Sequence, residues 1–229
     1  MKKNRWRWSL ALALALSTLT ILPVRAAGLI VLDSLFNDWA GQAYVTDPTG
    51  DGSQGTDFTK FYFATNPGVS TLFFMLERLP SDQQIIIWQS FDMNNNGIFN
   101  EPTDRLVKVT YDPKNNNSKV DVTVYTGTNQ FIAQIANNVD YGESEREGGE
   151  KVEWGVPMGL LGMTPGQTIN IGLTVDPEEN ENGAISDVLD TPVQWSPASA
   201  LGWGLLGAIL LAAVIWMARL RQRQDKMRA

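Results

Sequence analysis

Two residue types are missing altogether: the 229-residue chain has no cysteine and no histidine. Without cysteine there is no disulfide framework, so the fold must rest on a hydrophobic core or on a metal held by oxygen ligands. Without histidine the commonest general base is gone. So are the usual zinc and haem ligand and every Ser-His or Cys-His nucleophile system. Cations are also scarce where they would matter for nucleic acid. Five sit before the body of the chain, and five sit in the last eleven residues with one anion. Of the 18 basic and 25 acidic residues, 8 and 24 remain between the ends, a balance near −16. That excludes a basic footprint for nucleic acid and describes a surface that attracts cations.

Long apolar runs occur only at the two ends. Lys2, Lys3, Arg5 and Arg7 precede SLALALALSTLTILPVRA, which closes on a small-residue pattern. This reads as a secretory signal peptide over residues 1–26, with an uncleaved anchor as the alternative. Residues 200–218, ALGWGLLGAILLAAVIWMA, carry no charge, close to the roughly 20 residues that span a hydrocarbon core. Arg219, Arg221, Arg223, Lys226 and Arg228 follow against Asp225 alone. The positive-inside rule therefore places the tail, 219–229, in the cytoplasm and the body outside. The expected organisation is one ectodomain over 27–191, a stalk over 192–199 (PVQWSPAS) and a single transmembrane helix. The whole is a single-pass membrane protein of a prokaryotic cell surface.

Within the ectodomain, runs of β-branched and aromatic residues recur: KFYFA, TLFFMLE, QIIIWQSF, RLVKVTY, KVDVTVYT, QFIAQI, KVEWGV and TINIGLTV. Breakers such as TNPG, LPSD, DPKNNNS, TGTN and TPGQ separate them. Eight such runs predict an all-β fold, an antiparallel sandwich or barrel. PMGLLGM has room for one helical turn. Two long connections, 136–150 and 177–190, are acidic and read as solvated loops.

The loop DMNNNGIFNEPTD, residues 92–104, places oxygen-bearing side chains at alternate positions: Asp92, Asn94 and Asn96. Gly97 follows at the bend, and Ile98 can offer its carbonyl. This is the front half of an EF-hand-type calcium loop. Its twelfth position is Thr103 rather than glutamate, so closure falls to Asp104, to Glu101, or to Asn100 through water. The same stretch also reads as a plain hairpin connection, with Asn96-Gly97 at the turn. A second, weaker acidic set, Asp47, Asp51 and Asp57, lies in the glycine-rich stretch before KFYFA. The first set makes calcium the expected, structural cofactor; the second, without a fixed ligand spacing, reads first as a solvated loop.

No spacing of carboxylates singles out an acid and a base, so binding rather than catalysis is expected. Of the ectodomain tryptophans, Trp39, Trp88 and Trp154 are assigned to the core. Trp195, in the stalk, marks approach to the membrane interface.

Four stretches taken together resemble a known group: LDSLFNDWAGQAYVTDPTGD, TDFTKFYFATNPGVSTLFFMLE, WQSFDMNNNGIFN and KVEWGVPMGLLGMTPGQTINIGL. They are similar to the extracellular β-sandwiches related to family 9 carbohydrate-binding modules and to DOMON domains. Asp33, Asp38 and Trp39 match that group's opening motif, with Ser34 where it usually has glycine. Glu153, Trp154, Val156, Pro157, Leu161 and Gly162 match a late motif. The resemblance implies a jelly-roll-like sandwich with structural calcium and, in some members, a bound sugar. It assigns no sugar-binding aromatics to positions of this chain. Haem, held by histidine and methionine in some DOMON relatives, is not expected, since Met75, Met93, Met158 and Met163 have no histidine to pair with. The partner expected on this basis is a glycan or cell-envelope polysaccharide. The alternative is a structural or protein-interaction ectodomain.

Overall fold

The computed structural model describes residues 29–53, 55–114, 120–137, 142–144, 149–177 and 185–197. The segments read as signal peptide, transmembrane helix and basic tail lie outside the described residues. No helix among those described is long and apolar enough to cross a membrane.

All eight apolar runs form strands, because each alternates between inward and outward positions or is apolar on both faces. A 3-10 turn, Phe36–Trp39, precedes β1 (Ala43–Thr46), β2 (Phe58–Thr65), β3 (Thr71–Arg78) and β4 (Ile85–Asp92). β5 (Arg105–Tyr111), β6 (Val120–Thr126), β7 (Phe131–Asn137), β8 (Gly142–Ser144) and β9 (Lys151–Pro157) follow. A single helical turn, α1 (Met158–Leu161), leads to β10 (Ile169–Pro177), β11 (Asp187–Val188) and β12 (Val193–Trp195). Gly162, in the left-handed conformation at φ 70°, ends α1. Glycine enters that conformation without a steric penalty.

The strands make two antiparallel sheets. The first runs β1-β2-β3-β9-β8, and the second β11-β10-β4-β5-β6-β7 with β12 also paired to β10. Every pairing is antiparallel. Between the sheets lies one core: Phe61, Leu72, Phe74, Leu76, Val152, Trp154 and Val156 face Ile85, Ile87, Phe91, Val107, Val109, Val122, Val124, Ile171 and Leu173. This is a β-sandwich.

A second, smaller apolar cluster covers the outer face of the first sheet. Ile30 and Trp39, from the segment before β1, pack on Ala64, Phe73 and Met75. Glu153 of β9 anchors that segment. Its carboxylate accepts the Trp39 indole N–H at 2.7 Å and the backbone N–H groups of Asp33 and Ser34, both at 3.1 Å. The opening and late motifs therefore meet in space, 114 residues apart at Trp39 and Glu153. Burial pushes the Glu153 carboxyl up to about 7 from its ordinary 4.5; the three N–H donors oppose this and nearby Asp38 adds to it.

Two positions correct the sequence reading. Trp88 is not in the core: Ile85, Ile87, Gln89 and Phe91 point inward in β4, so the period of two turns Trp88 to the outer face of the second sheet. Residues 193–195 are not stalk. They form β12, and Trp195 packs half-buried against Phe63 and Phe74, with centroids 5.2 and 6.1 Å away. The flanking Pro192 and Pro197 punctuate a three-residue strand that is too short to signal itself.

Candidate functional site

The loop after β4 closes on its own hydrogen bonds. Asp92 and Asp104, at its two ends, are both fully buried. Asp92 accepts the Gly97 N–H at 2.7 Å, the Asn170 amide at 3.0 Å and the Asn96 N–H at 3.2 Å. Burial alone would raise its carboxyl, but the donors from Asn170, Gly97, Asn96 and Asn95 outweigh it and hold the group below its usual range. Asp104 accepts from the Met93 and Glu101 N–H groups at 3.1 and 2.8 Å. The side-chain amides of Asn94 and Asn96 both donate to Glu101 Oε2, at 2.7 and 2.8 Å. Ile98 donates its N–H to the Asn96 side chain at 2.8 Å and leaves its own side chain exposed. Gly97, at φ 85°, makes the bend. The expected ligand set Asp92, Asn94, Asn96, Ile98 and Asp104 thus lies in one turn, in which the Glu101 carboxylate accepts from Asn94 and Asn96 and the Glu101 N–H donates to Asp104. Every charged oxygen of Asp92 and Asp104 already has an N–H partner.

The weaker set is placed differently. Asp47 and Asp51 gather with Asp187 of β11, with one oxygen from each within 4.8 Å of the other two. Asp57 stands beside them, using one oxygen to accept the Gly50 N–H at 2.8 Å. Asp47, Asp57 and Asp187 are buried, while Asp51 is exposed. Asp187 accepts the Phe58 N–H at 2.9 Å and Asp47 the Asp190 N–H at 3.4 Å. Asp47 Oδ2 and Asp57 Oδ1 are buried with no hydrogen-bond partner. Among the described residues no lysine or arginine pairs with any of the four. Two of the carboxyls, Asp47 and Asp187, accordingly resist ionisation. Burial and then the Asp187 charge, with Asp51 and Asp190 adding, push Asp47 up to about 6. Burial, Asp51 and Asp57 raise Asp187. Asp187 was not legible as a partner, since it lies 136 positions beyond Asp51 and no local spacing connects them.

Local structure fixes this corner. The Ile185 N–H donates to Ser53 Oγ, the Ser53 N–H donates to the Ile185 carbonyl, and Thr56 Oγ1 donates to the same carbonyl. These bonds hold the acidic loop against the start of β11. A Cβ on Gly52 would come within 2.9 Å of Asp187 Cβ and 3.1 Å of the Asp57 backbone, so only glycine lets the segments approach this closely. An open cleft of about 1010 Å³ adjoins the corner, lined by β1, the β11–β12 connection and Asp47.

The outer face of the second sheet gathers aromatic and hydroxyl side chains by register. One row runs Thr174, Trp88, Lys108, Thr123 and Gln134; the next runs Gly172, Ser90, Leu106, Tyr125 and Phe131. Lys108 Nζ lies 5.4 Å from the Trp88 ring centre. Tyr125 and Phe131 meet edge to face at 6.2 Å, and Phe131 is 65% exposed. Phe99, from the loop after β4, reaches back to Gly172, its ring 3.6 Å from where a Cβ would stand. Trp39 and Trp154, by contrast, are wholly packed.

No protein-family model matches this chain, and neither the curated proteins nor the solved structures include a match.

Proposed function

We propose that this chain is a membrane-anchored, calcium-stabilised surface module of the jelly-roll-like, carbohydrate-binding type, and that it recognises polysaccharide at the cell envelope. The observation that carries the glycan reading is the outer face of the second sheet. There Trp88, Phe99, Tyr125 and Phe131 share one surface with Ser90, Thr123, Thr174 and Gln134. Flat rings suit the apolar faces of pyranoses, and the hydroxyl and amide groups between them suit the sugar hydroxyls. The proposed role is binding; without histidine or cysteine the chain has no Ser-His or Cys-His nucleophile system.

A second reading, a structural or protein-interaction ectodomain, is favoured by the packing of Trp39, Trp154 and Trp195 and by the Lys108 ammonium over Trp88. A glycan array separates the two. The glycan reading expects binding to at least one polysaccharide class, weakened about tenfold by Phe131→Ala or Tyr125→Ala, the equivalent of roughly 1.4 kcal/mol of stacking. If no polysaccharide binds the folded protein, the glycan reading is overturned and the second reading stands.

A further inference from the structure

We propose that Asp47, Asp51 and Asp187 form a calcium site that staples the acidic loop before β2 to β11. The inference rests on the calcium part of the reading above and is independent of its glycan part.

Three carboxylates, two of them buried, converge with one oxygen each inside 4.8 Å. Two oxygens on opposite sides of a calcium ion at about 2.4 Å are themselves about 4.8 Å apart, so the span fits that coordination sphere. Hard carboxylate oxygens with no imidazole or thiolate select calcium over zinc or copper. The clustering alone would not make a site, since solvated carboxylates often stand together. The buried, unpartnered oxygens decide it. Asp47 Oδ2 has lost water and gained no donor, and Asp57 Oδ1, beside the cluster, is in the same condition. A buried anionic oxygen without a partner has lost its hydration with nothing in return, which destabilises the fold unless a cation or donor meets it. Among the described residues no cation pairs with these four carboxylates, and the charges that bear on Asp47 and Asp187 are those of other aspartates.

The remaining features are those a calcium site needs. Asp51 is exposed, so the cluster can be reached from solvent, and water would complete the six to eight oxygens around the ion. Gly52 admits the close approach of the two segments. The ligands come from positions 47, 51 and 187, so the ion closes a long chain loop that no disulfide closes.

The contrast with the loop after β4 sharpens the assignment. There each oxygen of the buried Asp92 and Asp104 carboxylates already accepts an N–H.

The test uses the full-length protein, stripped with a chelator and titrated with calcium chloride alone, with Tm as the readout. Calcium at a hundred times its dissociation constant is expected to raise Tm by roughly 5–10 °C. Asp51→Asn, at an exposed position that leaves the fold intact, is expected to weaken calcium affinity at least tenfold while leaving the calcium-free Tm unchanged or higher. Asp187→Asn is expected to remove the response, and Asp92→Asn to keep it. An absent response in the native protein overturns the calcium reading as a whole. A native response retained in both Asp51→Asn and Asp187→Asn, or lost in Asp92→Asn, overturns this site alone.

Discussion

Single carboxylates carry most of the chemistry that can be assigned to this chain, and their burial decides what each does. Glu153 is fully buried under the segment it anchors, with its carboxyl raised from 4.5 to about 7. A folded-state value above the unfolded one means that the fold favours the protonated form. The contribution is therefore fully present below pH 4.5 and is lost as pH rises through 7. The difference in unfolding free energy between the native protein and Glu153→Gln should fall by about 3 kcal/mol from pH 4.5 to pH 8, measured by urea denaturation across that range. A flat difference profile would show that Glu153 is not the titrating group. Ser34 poses a simpler case. It holds φ 61° where the resembling group has glycine, and its N–H is committed to Glu153. Ser34→Gly should raise stability by about 0.5 kcal/mol, read from the same denaturation midpoint, because glycine enters the left-handed region without a Cβ penalty. Arg78 is the counterpart cation. It is buried, with no carboxylate paired to it among the described residues; it donates to the carbonyls of Gly55, Ser81, Gln83 and Gly149, and burial lowers it to about 10.

Strands and loops differ in how far the sequence reveals them. TLFFMLE, QIIIWQSF and the six other long runs are legible because β-branched and aromatic residues at period two, bounded by turn residues, have few other ways to be buried. β1, β8, β11 and β12 are edge strands of two to four residues. They gain their conformation from pairing with neighbours rather than from propensity, so no local signal marks them. The same reasoning explains Trp88. An aromatic inside an apolar run looks like core until the pairing register fixes which parity faces inward. Among the loops, residues 92–104 bring the Asn94 and Asn96 amides to Glu101, while Asp92 accepts from Asn96, Gly97 and Asn170. Asp92→Ala removes three acceptor contacts and should cost about 2–4 kcal/mol. The cost should be the same in calcium and in chelator, measured by chemical denaturation in both. A cost confined to calcium would make this loop an ion site.

For the whole molecule, the balance of charge and the absence of cross-links belong to one account. A sandwich without disulfides that concentrates 24 of its acidic residues between its ends carries considerable self-repulsion. Part of that repulsion is focused where Asp47, Asp51, Asp57 and Asp187 meet. Asp47 and Asp51 were legible as an acidic stretch, but their partner was not. Asp187 comes from the far end of the domain, and only the pairing of β11 with β10 brings it there. A divalent cation at this corner would neutralise the cluster and tie the first acidic loop to the last strands of the second sheet. The most direct measurement is an anomalous difference map from crystals of the protein grown in calcium chloride. The account predicts a peak about 2.3–2.6 Å from oxygens of Asp47, Asp51 and Asp187. An empty corner, with a calcium peak only between Asp92 and Asp104 or with none at all, would contradict it.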